Sequence, residues 1–410
     1  MNMLIIVHYA EIALKGGNRK FFEERLVENI KKSLTQKGIV FNSVKRIYGR
    51  ILLELRGTDP LKFEGGLSPL ILALRNVFGI AHFAFAERCE QDIEKIKEKA
   101  IEILSQKEFV SFRVEAKRSD KKFSLTSQQI NEQVGAFIIE KNVLGPCSAR
   151  SSNDLAEQGH SLKVKLENPD LTLFIEITEK DAFLYTEKIA GPGGLPVGVS
   201  GKAICLISGG IDSPVAAWYL MKRGVENIFV HFYSTQQGYE KSLEKVRDIL
   251  RVLKKYQLNI RVYFVPFSDI QKEIVLKCQA DLRVVLYRRF MFRVSEEIAL
   301  KENAKALITG ENVGQVASQT LDNMLAISQA TSLPILRPLA GFDKIEIIDI
   351  AKKIGTFDIS ILPHLDCCSM FVPEHPATKA SLKEVQKSEK KLKVEKLVKG
   401  AVKNAKLEVI

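Results

Sequence analysis

The chain opens on a short apolar run, MLIIVHY, and then changes period. In NRKFFEERLVENIKKSLTQKG apolar residues return every three or four positions, and a second apolar run, RILLEL, follows. This pattern predicts strand, amphipathic helix ending at Gly38, and strand within the first sixty residues. The glycines of LKGGNRKFF permit a close backbone approach, and an ordinary helix entry reads the same way.

A second block covers residues 61–188. It predicts helices around Asp92–Leu104 and Ser127–Glu140, and strands at FVSFRVEAK, SLKVKLE, LTLFIEI and AFLYTEK. Helices and strands mixed without strict alternation suggest an α+β domain. The stretch IAGPGGLPVGVSGK is dense in glycine and proline and reads as a linker.

Beyond it the order becomes regular. Strands AICLI, NIFVHFY, NIRVYFVPF and KALITG alternate with helices PVAAWYLMKRG, EKSLEKVRDILRVLKKY and a long helical stretch over 269–303. Strict alternation predicts a doubly wound parallel sheet, with ligands at the carboxyl ends of its strands. The Lys-rich C-terminus reads as an exposed helix or tail. The expected division is therefore 1–60, 61–188 and 189–410, consistent with 410 residues.

Charge adds a partner class. Residues 1–50 hold ten Lys/Arg against four Asp/Glu, and residues 379–410 hold ten Lys against four Glu. Each end thus carries +6, the net charge is +12, and the middle is neutral. Such ends suit a polyanion such as RNA, and equally a solvated Lys/Glu-rich surface; charge alone favours neither. No apolar run approaches the roughly 18 residues of a membrane span, and the start lacks a signal-peptide pattern, so a cytoplasmic protein is expected. Six cysteines do not make a disulfide scaffold. Cys367 and Cys368 are adjacent, with Cα atoms about 3.8 Å apart, whereas disulfides prefer about 4.4–6.8 Å.

The candidate chemistry begins at LISGGIDSPVA, residues 206–216. A Walker A loop is absent, since SGK at 200–202 runs into Ala203; GPGGLP has Pro196 where a dinucleotide fingerprint needs its third glycine. SGGIDS nevertheless joins a predicted strand to a predicted helix. Gly209 and Gly210 leave backbone N–H groups accessible, Ser213 suits the helix cap and Pro214 its first turn. A helix N-terminus there favours an anion, and Asp212 makes sense beside one if Mg²⁺ accompanies the phosphates.

SGGIDSP resembles the PP-loop of the ATP pyrophosphatase superfamily. Within it, the whole chain resembles the tRNA 4-thiouridine synthetases, a family also linked to thiamine thiazole synthesis. HYAEIALKGGNRKFFEERL is similar to its ferredoxin-like domain and KRSDKKFSLTSQQIN to its THUMP domain. GPGGLPVGVSGK, TGENVGQVASQTLDNM, RPLAGFDKIEII and LDCCSMFVPEHPATKA are similar to its catalytic domain. The resemblance implies an adenine nucleotide alpha hydrolase-like α/β domain preceded by ferredoxin-like and THUMP α+β domains.

It further implies ATP contacts at Leu206, Ile207, Ser208, Gly209, Gly210, Ser213, His231, Phe232, Arg288, Gly310 and Gln319, with Asp212 and Lys344 serving adenylation. Without the family, His231 reads as a core residue, Arg288 as a basic helix face and Lys344 as a surface lysine. Cys367 aligns with the persulfide-bearing cysteine, and Cys368 is its alternative. RNA contacts fall on Lys15, Arg19 and Lys20, and on Lys117, Arg118 and Lys121. The implied reaction adenylates O4 of tRNA uridine 8 and replaces it with persulfide sulfur.

Long members append a rhodanese domain; here no cysteine follows Cys368, so a cysteine desulfurase is the expected sulfur donor. His364, Asp366, Cys367, Cys368 and His375 also suggest zinc, but adjacent cysteines fit zinc spacing poorly. They likewise argue against an iron–sulfur cluster, even with help from Cys205. A homodimer is one candidate assembly. The rivals are another adenylating tRNA-modifying enzyme on the same loop and a non-catalytic RNA-binding protein; Cys367 and the intact loop speak against an amide-forming enzyme and the binding protein respectively.

Overall fold

The computed structural model describes residues 2–47, 49–56, 68–142, 162–234, 239–363 and 373–410. The chain forms two compact units, Met1–Gly193 and Gly194–Ile410.

The first unit holds two sheets. One is antiparallel and comprises β1 (Asn2–His8), β2 (Phe41–Ile47), β3 (Arg50–Arg56) and β4 (His82–Phe85), with β10 (Ile189–Ala190) on the edge beyond β4. It therefore extends past the boundary expected at residue 60, and the linker stretch begins as its edge strand. Leu26, Ile30 and Leu34 are spaced four apart on the Arg19–Gln36 helix and are fully buried.

The other sheet has the order β5 (Glu87–Glu90), β9 (Asp181–Tyr185), β8 (Leu171–Ile177), β6 (Ser111–Arg118) and β7 (Lys163–Val164). Strands β6, β7 and β8 are parallel, and β9 and β5 antiparallel. Alternate residues Phe112, Val114 and Ala116 of β6 and Leu173, Ile175 and Ile177 of β8 face two helices, Ile93–Leu104 and Ser127–Glu140. These helices answer with Ile96, Ala100 and Leu104, and with Ile130, Val134 and Ile138. On the opposite face Phe183 and Tyr185 pack against Ile6, Leu52 and Ala84 of the first sheet.

A buried polar group lies between these sheets. Glu176 accepts from the Tyr185 hydroxyl at 2.5 Å, pairs with Arg50, and lies 3.0 Å from His8 Nε2. The His8 and His82 rings stack with centroids 4.3 Å apart.

The second unit is the doubly wound sheet. Strands β11 (Lys202–Leu206), β12 (Glu226–Tyr233), β13 (Arg261–Pro266), β14 (Leu307–Ile308) and β15 (Ile335–Leu336) run parallel in the order β15-β14-β11-β12-β13. The chain reverses its direction of progress between β11 and β14, so their carboxyl ends diverge around a crevice. Two sets of helices pack within themselves, as expected for the two faces: Asp212–Lys222 with Tyr239–Leu253 and Lys344–Ile354, and Arg283–Glu302 with Ser268–Lys277, Leu321–Ser328 and Val394–Lys403. Ile204, Leu206, Ile228, Val230 and Val265 share one core with Tyr287, Phe290 and Phe292 of the Arg283–Glu302 helix.

Two expectations are corrected. The helical stretch 269–303 breaks at Cys278, which is extended; Cys278 Sγ reaches Ser388 O at 3.6 Å and Ala377 N donates to Asp281 O. Contacts with distant chain, not a local breaker, set this interruption. At the C-terminus the helix expected there is present as Val394–Lys403, but it is packed and no free tail follows it. Val398 and Ala401 bury one helix face, and β16 (Lys406–Val409) pairs antiparallel with β13.

The buried group of the first unit predicts an acid response. Burial, then the neighbouring His8 and Lys188, lowers the His82 pKa to about 4. Burial alone would raise that of Glu176, but His8, Arg50 and Tyr185 pull it down to about 2. Both groups have lower pKa values folded than unfolded, so the unfolded chain takes up protons first. Stability is expected to fall from about pH 6.5 towards 4 through His82 and from about 4.5 towards 2 through Glu176. Thermal melts across this range should show His82→Asn flattening the upper slope while the lower one persists; an unchanged upper slope refutes the assignment.

Candidate active site

The loop Ser208–Ile211 leaves the end of β11 and enters the helix Asp212–Lys222. The helix begins one residue before Ser213, with Ile211 as its cap and no side chain bonded there. Ser213 is thus not the cap the sequence suggested. Its Oγ accepts from Ser208 N at 2.9 Å and lies 3.0 Å from Ser208 Oγ, bracing the loop from within. Gly210 N donates to Ser208 Oγ at 3.3 Å. Neither Gly209 nor Gly210 takes a positive φ. A Cβ on Gly210 would meet only Ser208 Oγ, at 3.5 Å.

Gly310, just past β14, is fixed by the fold itself. A Cβ there would lie 2.7 Å from Ser213 N, 2.8 Å from Asp212 C and 2.9 Å from Ser213 Cα. The two strand ends are joined at this contact.

A cleft of about 280 Å³ opens at the switch point. Leu206, Ile207, Ser208, Gly210, Asp212, Ser213, His231, Phe232, Arg288, Gly310 and Gln319 all line it, so eleven sequence-selected positions scattered over more than a hundred residues converge. Gly209 is not among the lining residues. His231 is buried, with Nδ1 2.9 Å from Ile207 O and its ring edge-on to Phe264. Phe232 packs edge-on against Phe267. Gln319 Oε1 is shielded from solvent without a hydrogen-bond partner.

Charge is distributed unevenly around the cleft. At its mouth Asp212 Oδ1 accepts from Lys344 Nζ at 2.5 Å and Oδ2 from Gln315 Nε2 at 3.0 Å. Lys344 is the first residue of a helix closed by a capping box between Asp343 and Glu346, which sets where its stem starts. On the wall, Glu311 is almost wholly buried and accepts from Arg288 at 2.6 Å, Arg337 at 2.8 Å and Thr309 Oγ1 at 2.9 Å. Burial raises its pKa, but the two guanidinium groups prevail and hold the carboxyl below its ordinary value. One carboxylate between two arginines leaves a net positive wall.

Glu311, Arg337, Thr309, Gln315 and Met291 were not selected from sequence. Thr309, Glu311 and Gln315 lie inside TGENVGQ and Arg337 opens RPLAGFDKIEII, so their stretches carried a signal that their individual roles did not.

The described cysteines do not offer a reactive thiol. Cys205 is fully buried on β11, Cys278 is buried and Cys89 is half-buried. Burial raises all three pKa values, that of Cys89 to about 11. Cys367 and Cys368, with His364 and Asp366 of the zinc reading, lie outside the described residues; His375 is exposed.

The RNA candidates occupy the first unit. Arg19 is bonded to the Tyr9 hydroxyl and to Glu23, and Arg118 Nη1 to Phe123 O. Lys15 lies over the Phe22 ring at 5.3 Å and 3.6 Å from Glu11. Lys20, Lys117 and Lys121 are exposed, and Lys117 is 3.4 Å from Glu115.

Fold and site define an α/β nucleotide-binding protein of the PP-loop class. Comparison with known proteins narrows this. The family described as thiamine biosynthesis protein (ThiI) matches residues 198–394, its ferredoxin-like domain residues 4–84, and the THUMP domain residues 90–187. A probable tRNA sulfurtransferase of Caldanaerobacter subterraneus subsp. tengcongensis is 43% identical over 97% of both chains. One from Brevibacillus brevis is 41% identical over 99% of this chain and 96% of its own. A 4-thiouridine synthetase solved as an RNA complex with bound ATP superposes with a TM-score of 0.82 at 37% identity, with both chains covered in full. The chain belongs to the tRNA sulfurtransferase family.

The Gly310 contact gives a direct test. Gly310→Ala must push Ser213 and Asp212 aside, at a cost of about 1–3 kcal/mol, and should lower the melting temperature of the second unit. A melt identical to that of the unsubstituted protein contradicts the contact.

Proposed function

We propose that this protein is an ATP-dependent tRNA uracil 4-sulfurtransferase that adenylates O4 of uridine 8 and replaces that oxygen with persulfide sulfur. The observation that carries the reading is the cleft at the β11/β14 switch point, lined by the Ser208–Ser213 loop and Arg288, with Lys344 bonded to Asp212 beside it. The full-length likeness to tRNA sulfurtransferases and to an ATP-bound 4-thiouridine synthetase supports it.

The protein alone does not require a glycine at 210, since a Cβ there meets open space beyond Ser208 Oγ. A triphosphate lying against the loop backbone does require one. The uncapped N-terminus of the Asp212–Lys222 helix presents its dipole to the same place. The adenine end lies towards Ile207, His231, Phe232 and Gln319, whose shielded Oε1 is an acceptor suited to an amino group.

Asp212 fits Mg²⁺. It supplies hard carboxylate oxygens beside the phosphate site, and Mg²⁺ commonly binds one or two carboxylates together with substrate phosphates. The ion would neutralise charge developing on the pyrophosphate. Lys344 and Gln315, now held by Asp212, are placed to follow the phosphates. Arg288, fixed by Glu311, offers a preorganised cation to the leaving group.

O4 of the base attacks the α-phosphorus and pyrophosphate leaves. The terminal sulfur of a persulfide on Cys367, or on Cys368, then attacks C4 and AMP leaves. A second thiol breaks the resulting base–cysteine disulfide, releasing the thiocarbonyl and itself ending in a disulfide. A cysteine desulfurase is the proposed source of the persulfide, and the same sulfur relay would serve thiamine thiazole synthesis. Lys15, Arg19 and Lys20 with Lys117, Arg118 and Lys121 are the proposed tRNA contacts, giving phosphate-based affinity.

The test is nucleoside mass spectrometry of tRNA incubated with the protein, ATP, Mg²⁺ and a persulfide donor. 4-Thiouridine at position 8 is expected; a different thiolated nucleoside, or none, overturns the reading. Asp212→Asn should cut adenylation by about 100-fold or more while tRNA affinity stays within a few-fold. Cys367→Ser should release pyrophosphate yet form no thiolated base, and normal thiolation would assign the sulfur to Cys368. Raising salt from 50 to 200 mM should weaken tRNA binding by roughly tenfold or more; a flat response removes the lysine and arginine contacts.

A further inference from the structure

Lys245, on the Tyr239–Leu253 helix, stands apart from the nucleotide cleft, yet its ammonium is directed inward. Its side chain is buried, and Nζ donates to Ser360 O at 2.8 Å and to Leu362 O at 2.5 Å. The first of these carbonyls ends the short Phe357–Ser360 helix and the second lies one residue past its cap, Ile361. Ser360 in turn directs its hydroxyl to Gly210 O of the nucleotide loop, at 3.4 Å. One lysine therefore fastens a turn that itself touches the loop.

The chain is fastened again further on. Asn323, fully buried, donates to Ala317 O and Ala377 O at 2.7 Å each and accepts from Ala380 N at 2.9 Å. Thr320 Oγ1 donates to Thr378 O at 2.6 Å. Ala317 lies between Val316 and Gln319, both of which line the cleft. Leu362 and Ala377 thus mark two points tied to the nucleotide site, one by way of Ser360 and Gly210 and the other beside Val316 and Gln319. Cys367 follows Leu362 by five residues and precedes Ala377 by ten.

We propose that Lys245 is a positioning residue for sulfur delivery: by fixing the Ser360–Leu362 turn against the Gly210 side of the loop, it limits where the cysteine segment meets the adenylated base. This rests on the function proposed above. Lys245 does not touch nucleotide or reacting atoms, so its loss should affect the second chemical step more than the first. A bond network that served stability alone would depress both steps together.

The experiment measures two rates on the full chain with tRNA: pyrophosphate release, and 4-thiouridine formation at a fixed concentration of persulfide donor. Lys245→Met should leave pyrophosphate release within about twofold and lower thiolation at least tenfold. Lys245→Arg, which can still donate to both carbonyls, should restore most of the ratio between the two rates. Lys245→Gln, whose shorter side chain keeps an uncharged amide donor group, should fall between, and serves if the methionine variant does not fold. Unchanged thiolation, or an equal fall in both rates, overturns the proposal. Unsubstituted protein and Cys367→Ser run alongside: failure of the former to thiolate refutes the function itself, whatever Lys245 does.

Discussion

The approach of two backbones at the switch point governs the second unit. Gly310 brings the end of β14 so near to Asp212 and Ser213 that a methyl group does not fit between them. That contact locates the first turn of the helix against the neighbouring strand. The Ser208–Ser213 brace then needs only three short bonds to close the loop. The lining of the cleft comes from the ends of β11, β12 and β14, from the loops that follow β11 and β14, and from the Arg283–Glu302 helix.

The electrostatics follow the same frame. A buried carboxylate is costly unless charged donors surround it. Glu311 meets that condition with Arg288 and Arg337, which come from different elements 23 and 26 residues away. The pair of arginines is thereby fixed before any ligand binds, and such preorganised charge is what an anion-handling site requires. Lys344 and Asp212 are arranged differently. Their side chains are partly exposed and face each other across the mouth, so their bond can be exchanged for a bond to phosphate without leaving a buried charge unpaired.

Much of this was legible in the sequence. The continuous apolar runs of β11, β12 and β13 and the four-residue spacing of Ile96, Ala100 and Leu104 announce their elements, and S-G-G-x-D-S marks the loop between strand and helix. What was illegible depends on distance or on a single residue of phase. Ser213 suited a cap by its type, but the helix starts one residue earlier and turns the same hydroxyl into a brace. Glu311 was not singled out, because the two arginines that make it a buried ion-pair centre are remote in sequence. β16 escaped notice because KLEV is four residues long, carries two charges, and gains its strand conformation only from the free edge of β13. The break at Cys278 has no proline or glycine to announce it.

The thiols show how composition and environment divide the work. A persulfide carrier must present a thiolate, and burial opposes that state. Cys205 stands one residue before Leu206 of the cleft, yet it points into the sheet's packed face and its pKa is driven up. Proximity in sequence to the nucleotide loop therefore does not qualify a cysteine for sulfur chemistry; Cys89 and Cys278 fail on the same ground. In the proposed reaction adenylation needs rigid dipoles aimed at one phosphorus, whereas sulfur is loaded elsewhere and then brought to the base. A thiol built into the strand floor would satisfy the first demand and defeat the second. In the proposed reaction, the bonds at Ser360, Leu362, Ala377 and Ala380, which fasten the described chain on either side of residues 364–372, therefore bear on the chemistry as the loop does.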